Sequence, residues 1–226
     1  SLCGQAYQEA VHSMVLSQQG RVSDAIRGLS TALRRTEEEA SGSASAGSAI
    51  AAYLVEALYE QNRLEEAEAL IHDYAPLAEQ QAIADAVAVM VQSTARMAFN
   101  RGEEGEAEDL LDRAIYLGYR HALPRIVDYA RAELVRQSTL KGDLETAGRR
   151  LAQLFPDKRN APDDALIFHA GETELHTVTW ARYQIACENH AEARAVLHGE
   201  IRKAHTQRRR RRELKLHLLL AISLNA

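Results

Sequence analysis

Asn62-Arg63-Leu64-Glu65-Glu66-Ala67 and Gly142-Asp143-Leu144-Glu145-Thr146-Ala147 are copies of one pattern: a turn residue, an aliphatic residue two places on, an alanine five places on. It recurs at Gly20-Arg21-Val22-Ser23-Asp24-Ala25, at Gly102-Glu103-Glu104-Gly105-Glu106-Ala107 and, in degenerate form, at Glu188-Asn189-His190-Ala191-Glu192-Ala193. The five alanines lie 42, 40, 40 and 46 residues apart. A recurrence at that period marks a helical solenoid, since each two-helix unit buries its apolar face only against its neighbours. The expectation is an all-α superhelix of about five TPR-like hairpins with a period of about 40 residues.

Each signature falls at a helix–turn–helix corner. The Gly or Asn tolerates the left-handed conformation that ends the first helix, and the Ala lets the second helix approach closely. Before the corners, Ala51, Leu54, Val55 and Leu58, and again Ile126, Ala130, Leu134 and Val135, recur at helical spacing. The repeats run over 5–40, 48–80, 83–118, 123–155 and 163–200, with a last helix at 201–226. The expected core includes Leu54, Leu58, Leu64, Ala67, Leu70, Leu110, Leu134, Leu144, Ala147 and Trp180. Ser41 to Ser48 reads as a Ser/Gly/Ala loop, Gly118 as the end of a helix, Pro124 as the start of the next, and Pro156 to Pro162 as a linker. The chain opens close to the first repeat and stops within an apolar helix, Glu213 to Leu224, that lacks a second helix. The reading therefore expects one domain over 1–226, taken from a longer protein.

Composition narrows the function. The net charge is −5, so no overall field draws the chain to DNA or to an anionic membrane. Cys3 and Cys187 are two cysteines far apart, which suits a reduced cytoplasmic protein better than a disulfide framework. No apolar run is long enough to cross a bilayer. Gly42 to Ser48 spaces two glycines as a phosphate loop would, but Ser48 stands where the lysine must be. His169, Glu172 and His176 share a helix face yet spread too far along it to converge on one zinc ion. Cys187 with His190 reads as a packing residue near a corner rather than an activated thiol. Arg208 to Arg212 turns through more than a full circle on a helix, so it reads as a solvated inter-repeat turn. No enzyme, metal or cofactor is expected.

The remaining signal is positional. Six residues before the corners of repeats two to five stand Glu56, Arg96, Arg136 and Arg182; three before them stand Tyr59, Phe99, Thr139 and Ile185. On two-helix repeats the first of these positions faces the concave groove. Arginine beside aromatic residues suits a ligand bearing hydroxyls, carboxylates or phosphates. The candidate site is Glu56, Tyr59, Arg96, Phe99, Arg136 and Arg182; the competing reading is a polar ladder between adjacent helices.

Several stretches resemble the helical repeat domain of the large LuxR-type, MalT-like ATP-dependent bacterial transcriptional regulators. They are Tyr53 to Ala67, Gly118 to Arg125, Ala132 to Arg136 followed by Gly142 to Ala147, and Arg208 to Leu220. The resemblance implies a cytoplasmic domain that senses a small-molecule inducer or docks a partner protein. It also implies that DNA is met only through a helix-turn-helix domain outside these residues. Glu104 departs from the family pattern, which has an aliphatic residue there. The alternative is a general TPR-type adaptor for proteins, whose repeats run at 34 residues.

Overall fold

A computed structural model of the chain describes residues 2–38, 44–80, 83–154 and 176–225. Among them there are eleven helices and no strand. These are α1 (Leu2–Gln18), α2 (Val22–Glu38), α3 (Ala44–Glu60), α4 (Leu64–Gln80), α5 (Ala84–Asn100), α6 (Glu104–Arg120), α7 (Pro124–Leu140), α8 (Leu144–Leu154), α9 (His176–Ala186), α10 (His190–Thr206) and α11 (Arg210–Asn225). They form two compact units, Ser1–Ile126 and Val127–Ala226.

The signature acts through backbone geometry. Gly20, Asn62, Gly102, Gly142 and Glu188, the five turn residues read from the sequence, all have positive φ, between 55° and 83°. Around each, two hydrogen bonds close the preceding helix: at the second corner Asn62 N donates to Tyr59 O and Arg63 N to Leu58 O, both at 3.0 Å. This is a Schellman cap, with the left-handed residue two places after the last helical one. The same pair of bonds recurs at two further corners, Ala122 between α6 and α7 and Arg208 between α10 and α11. Those turns have no glycine to announce them. Five residues past each turn residue of the signature, the alanine amide closes the first turn of the next helix, and Ala25, Ala67, Ala107, Ala147 and Ala193 are each 0 % exposed.

The spacing follows from element lengths. The helices α4 to α7 are 17 residues long and three residues separate each from the next, so two helices with their spacers take 40 residues. Between α2 and α3 five residues stand in place of three, which gives the first interval of 42.

In the first unit, α1 with α2, α3 with α4 and α5 with α6 form hairpins. Successive hairpins meet through α2 with α3, α3 with α5 and α4 with α5. The neighbour packing is consistent with a helical repeat. Here α3 packs along α1, α2, α4 and α5, whereas α4 packs along α3 and α5 and meets α2 and α6 through the side-chain pairs Tyr74–Glu37 and Glu79–Arg113. That difference decides burial. Ala51, Leu54, Val55 and Leu58 of α3 are all buried, but α4 buries only Ala67 and Ala78.

Half of the expected core is corrected, four leucines by the same asymmetry and Trp180, on the first helix α9, by its place at the edge of its cluster. Leu54, Leu58, Ala67, Leu134 and Ala147 are buried; Leu64, Leu70, Leu110, Leu144 and Trp180 are only half-buried. A second helix seals its hairpin along a narrow stripe, so its leucines beside that stripe lie at the edge. In the second unit α9, α10 and α11 enclose Val178, Ala181, Leu197, Leu216 and Leu219, with Trp180 and Tyr129 against the cluster.

Three boundaries differ from expectation. Residues 44–48, read as loop, belong to α3, where Gly47 and Ser48 are buried because small residues admit the neighbouring helix. Gly118 is a buried residue inside α6, which runs on to Arg120. The closing helix begins at Arg210, since the Arg208 corner separates it from α10, and it packs against α10 and α9. The Pro156–Pro162 linker lies outside the described residues. Pro124 opens α7 as expected, where its missing N–H has no helical partner to lose.

Candidate functional site

The six candidate residues divide between the units. Glu56 and Tyr59 on α3 and Arg96 and Phe99 on α5 belong to the first, where those two helices pack together. Arg136 on α7 and Arg182 on α9 belong to the second. Glu56, Tyr59, Phe99, Arg136 and Arg182 are half-buried, and Arg96 is buried at 7 % exposure. All are engaged within the molecule. Asn100 Nδ2 donates to the Tyr59 hydroxyl at 3.3 Å, which links α5 to α3. Thr139, at the equivalent position on α7, is buried and spends its hydroxyl on the Val135 carbonyl at 2.8 Å.

Arg136 is the most constrained of the set. Its Nε and Nη2 both donate to Glu133 Oε1, at 2.8 and 2.5 Å, and Glu133 is 0 % exposed. The two stand one helical turn apart on α7. A carboxylate with no solvent must have its charge met inside the protein. Glu133 was missed by the sequence reading, and its signal was present: an acid three residues ahead of a column arginine, on a helix otherwise apolar around it.

The first helices carry other buried polar groups. Gln92, Ser93 and Arg96 on α5, and Glu133, Gln137, Ser138 and Thr139 on α7, are all buried. The buried residues of α4, α6 and α8 are Ala, Leu and Gly alone. Ser138 is tied to α8 by Arg150 Nη1 at 2.8 Å, and the side-chain nitrogens of Gln92 and Gln137 meet no hydrogen-bond partner among the described residues. Buried polar groups thus gather on α5 and α7, where burying them is costly.

The arginine run is consumed by the fold. Arg208 is the left-handed residue of a corner, Arg210 pairs with Glu213 at 3.1 Å, and Arg212 is buried against Glu200 at 2.7 Å. These three therefore stand in different surroundings.

His169 and Glu172 lie outside the described residues. No group of three or more His, Cys, Asp or Glu among the described residues could hold a metal ion, and none of their helices is long and apolar enough to cross a membrane. Cys187 is a free thiol just before the Glu188 corner. The Tyr183 phenol is held above its usual value, first by a side-chain hydrogen bond with Cys187 and then by burial. That places the thiol in a local contact with tyrosine. No protein-family model matches the chain, and no curated protein matches it.

Proposed function

We propose that this chain is the regulatory, signal-receiving domain of a LuxR-type, MalT-like transcriptional regulator, built as a superhelix of TPR-like hairpins. Its first helices would receive a small polar inducer or a segment of a partner protein. The observation that carries this reading is the set of polar and aromatic side chains at equivalent positions of those helices, beside α4, α6 and α8, which bury only Ala, Leu and Gly. A repeat built for packing alone gains nothing from such groups. Arginines fixed by internal bonds are preorganised to meet an anionic or hydroxyl-rich ligand without further loss of side-chain entropy. The domain would act in the cytoplasm and reach DNA only through a separate helix-turn-helix.

The test is a reporter assay with the intact regulator. Glu56→Ala and Arg182→Ala, both at half-buried positions, should abolish the response to the signal while leaving the thermal midpoint nearly unchanged. A full response in the double variant would remove the column from signal reception. If the full-length gene product lacks an upstream phosphate loop and a downstream helix-turn-helix, the adaptor reading takes over.

A further inference from the structure

A cleft of about 450 Å³ opens between the C-terminal half of α4, the start of α5 and the C-terminal half of α6, away from the candidate column. Its volume lies in the range of small-molecule sites, roughly 300–1,000 Å³. Four of its residues, Arg113, Tyr116, Leu117 and Arg120, stand at i, i+3, i+4 and i+7 on α6 and so share one face. The fold does not need that face. The stripe that seals α6 into its hairpin is Ala107, Leu111, Ala114 and Gly118.

The lining divides by chemistry. Val87, buried at 4 % exposure, and Leu117 supply apolar surface. Arg113 forms an ion pair with Glu79, which ties α6 to α4 and cancels the charge of both. Arg120 and His121 remain, with no ion-pair or hydrogen-bonding partner for their side chains among the described residues. Tyr116 borders the cleft with 61 % of its surface exposed. A basic residue in the last turn of a helix complements the helix dipole, which accounts for Arg120 taken singly. It does not account for an exposed tyrosine and an apolar floor beside it.

We propose that this cleft binds a small organic anion with an aromatic or aliphatic body and one carboxylate. Arg120 and His121 donate to the carboxylate, while the body lies on Val87 and Leu117 beside the Tyr116 ring. The proposal does not rest on the regulatory reading, because it uses none of the column residues.

The probes are 3-phenylpropionate and its neutral amide, titrated into the chain and followed by calorimetry and by the NMR signals of α6. The carboxylate should bind at least about tenfold more tightly than the amide, the usual gain of a charge-assisted hydrogen bond. Arg120→Ala should remove about that tenfold preference and leave amide binding unchanged, whereas Tyr116→Ala should weaken both ligands. Glu56→Ala should change neither, which separates failure here from failure of the column. Equal affinity for the two probes would overturn the proposal, as would an Arg120→Ala protein that is folded by circular dichroism and keeps the preference. So would binding of an acidic peptide at this face when neither probe binds.

Discussion

Arg212 Nη2 donates to Glu200 Oε2 at 2.7 Å across the α10–α11 hairpin, and only 4 % and 6 % of the two side chains are exposed. Lys203 Nζ takes the other carboxylate oxygen at 2.8 Å. Removing one partner of a buried pair leaves a charge that water cannot reach, at a cost of about 3–5 kcal/mol. Arg212→Ala should therefore lower stability in urea denaturation by about 3 kcal/mol, the low end because Lys203 remains. The apolar double variant Glu200→Leu, Arg212→Met should recover most of it. Additive losses in the double variant would show that the pair is not coupled.

The same carboxylate makes stability depend on acid. Burial pushes Glu200 up, but the Lys203 hydrogen bond and the charge and hydrogen bond of Arg212 outweigh it, and its pKa is lowered overall. A lowered native value means that the unfolded chain binds the proton more readily. The contribution is thus complete above the ordinary glutamate range and is lost as pH falls through the lowered native value. Glu200→Gln should be less stable than the parent at neutral pH, and the gap should narrow on acidification below about pH 4. A gap that stays constant from pH 7 to pH 3 would contradict the assignment.

Ala67 and Ala69 offer a matched pair on one helix. Ala67 is 0 % exposed where α4 meets its hairpin partner, and Ala69, two residues on, is exposed. Leucine at 67 has to push the helices apart, at about 1–3 kcal/mol. Leucine at 69 should change stability by no more than about 0.5 kcal/mol. Thermal midpoints of the two variants check this directly; equal midpoints would mean that the alanine of the signature is not a packing residue.

What was legible in the sequence is what backbone chemistry writes locally. A left-handed residue after a helix needs Gly or Asn, and a close helix approach needs Ala, so corners at Gly20, Asn62, Gly102 and Gly142 were visible in single residues. The corner at Ala122 was not, because alanine does not prefer that conformation; at Arg208 the arginine run was legible as an inter-repeat turn, but its left-handed residue was not. Burial was legible on α3, which has neighbours on several sides, and overstated on α4, α6 and α8, where one stripe suffices. The candidate column was readable as positions. Its internal bonds were not, because the Asn100–Tyr59 link spans 41 residues and depends on how two hairpins stack.

Corners without glycine make a prediction of opposite sign to the glycine ones. Ala122 and Glu188 sit at φ 54° and 62°, where a Cβ costs roughly 1 kcal/mol. Ala122→Gly and Glu188→Gly should each stabilise the protein by a few tenths to about 1 kcal/mol, after part of the gain is lost to the freer unfolded chain. Gly142→Ala, at φ 79°, should destabilise it by about 1 kcal/mol. Chemical denaturation midpoints test all three. Loss of stability in Ala122→Gly would mean that its methyl group contributes more than its strained backbone costs.

Arg136 decides between the two readings of the column on α7. Its Nε and Nη2 both donate to one oxygen of a carboxylate with no solvent exposure, so it helps to neutralise Glu133. Arg136→Ala removes that two-point contact from a buried charge and should lower stability by about 3 kcal/mol. Arg136→Lys should keep the charge but lose the two-point geometry, at a smaller cost of about 1 kcal/mol. Arg182 is half-buried on α9, and its alanine variant should stay within about 1 kcal/mol of the parent. Urea titrations of the three variants order them. If Arg136→Ala were as stable as Arg182→Ala, Glu133 would have to find another cation, and the arginine would be released for the ligand alone.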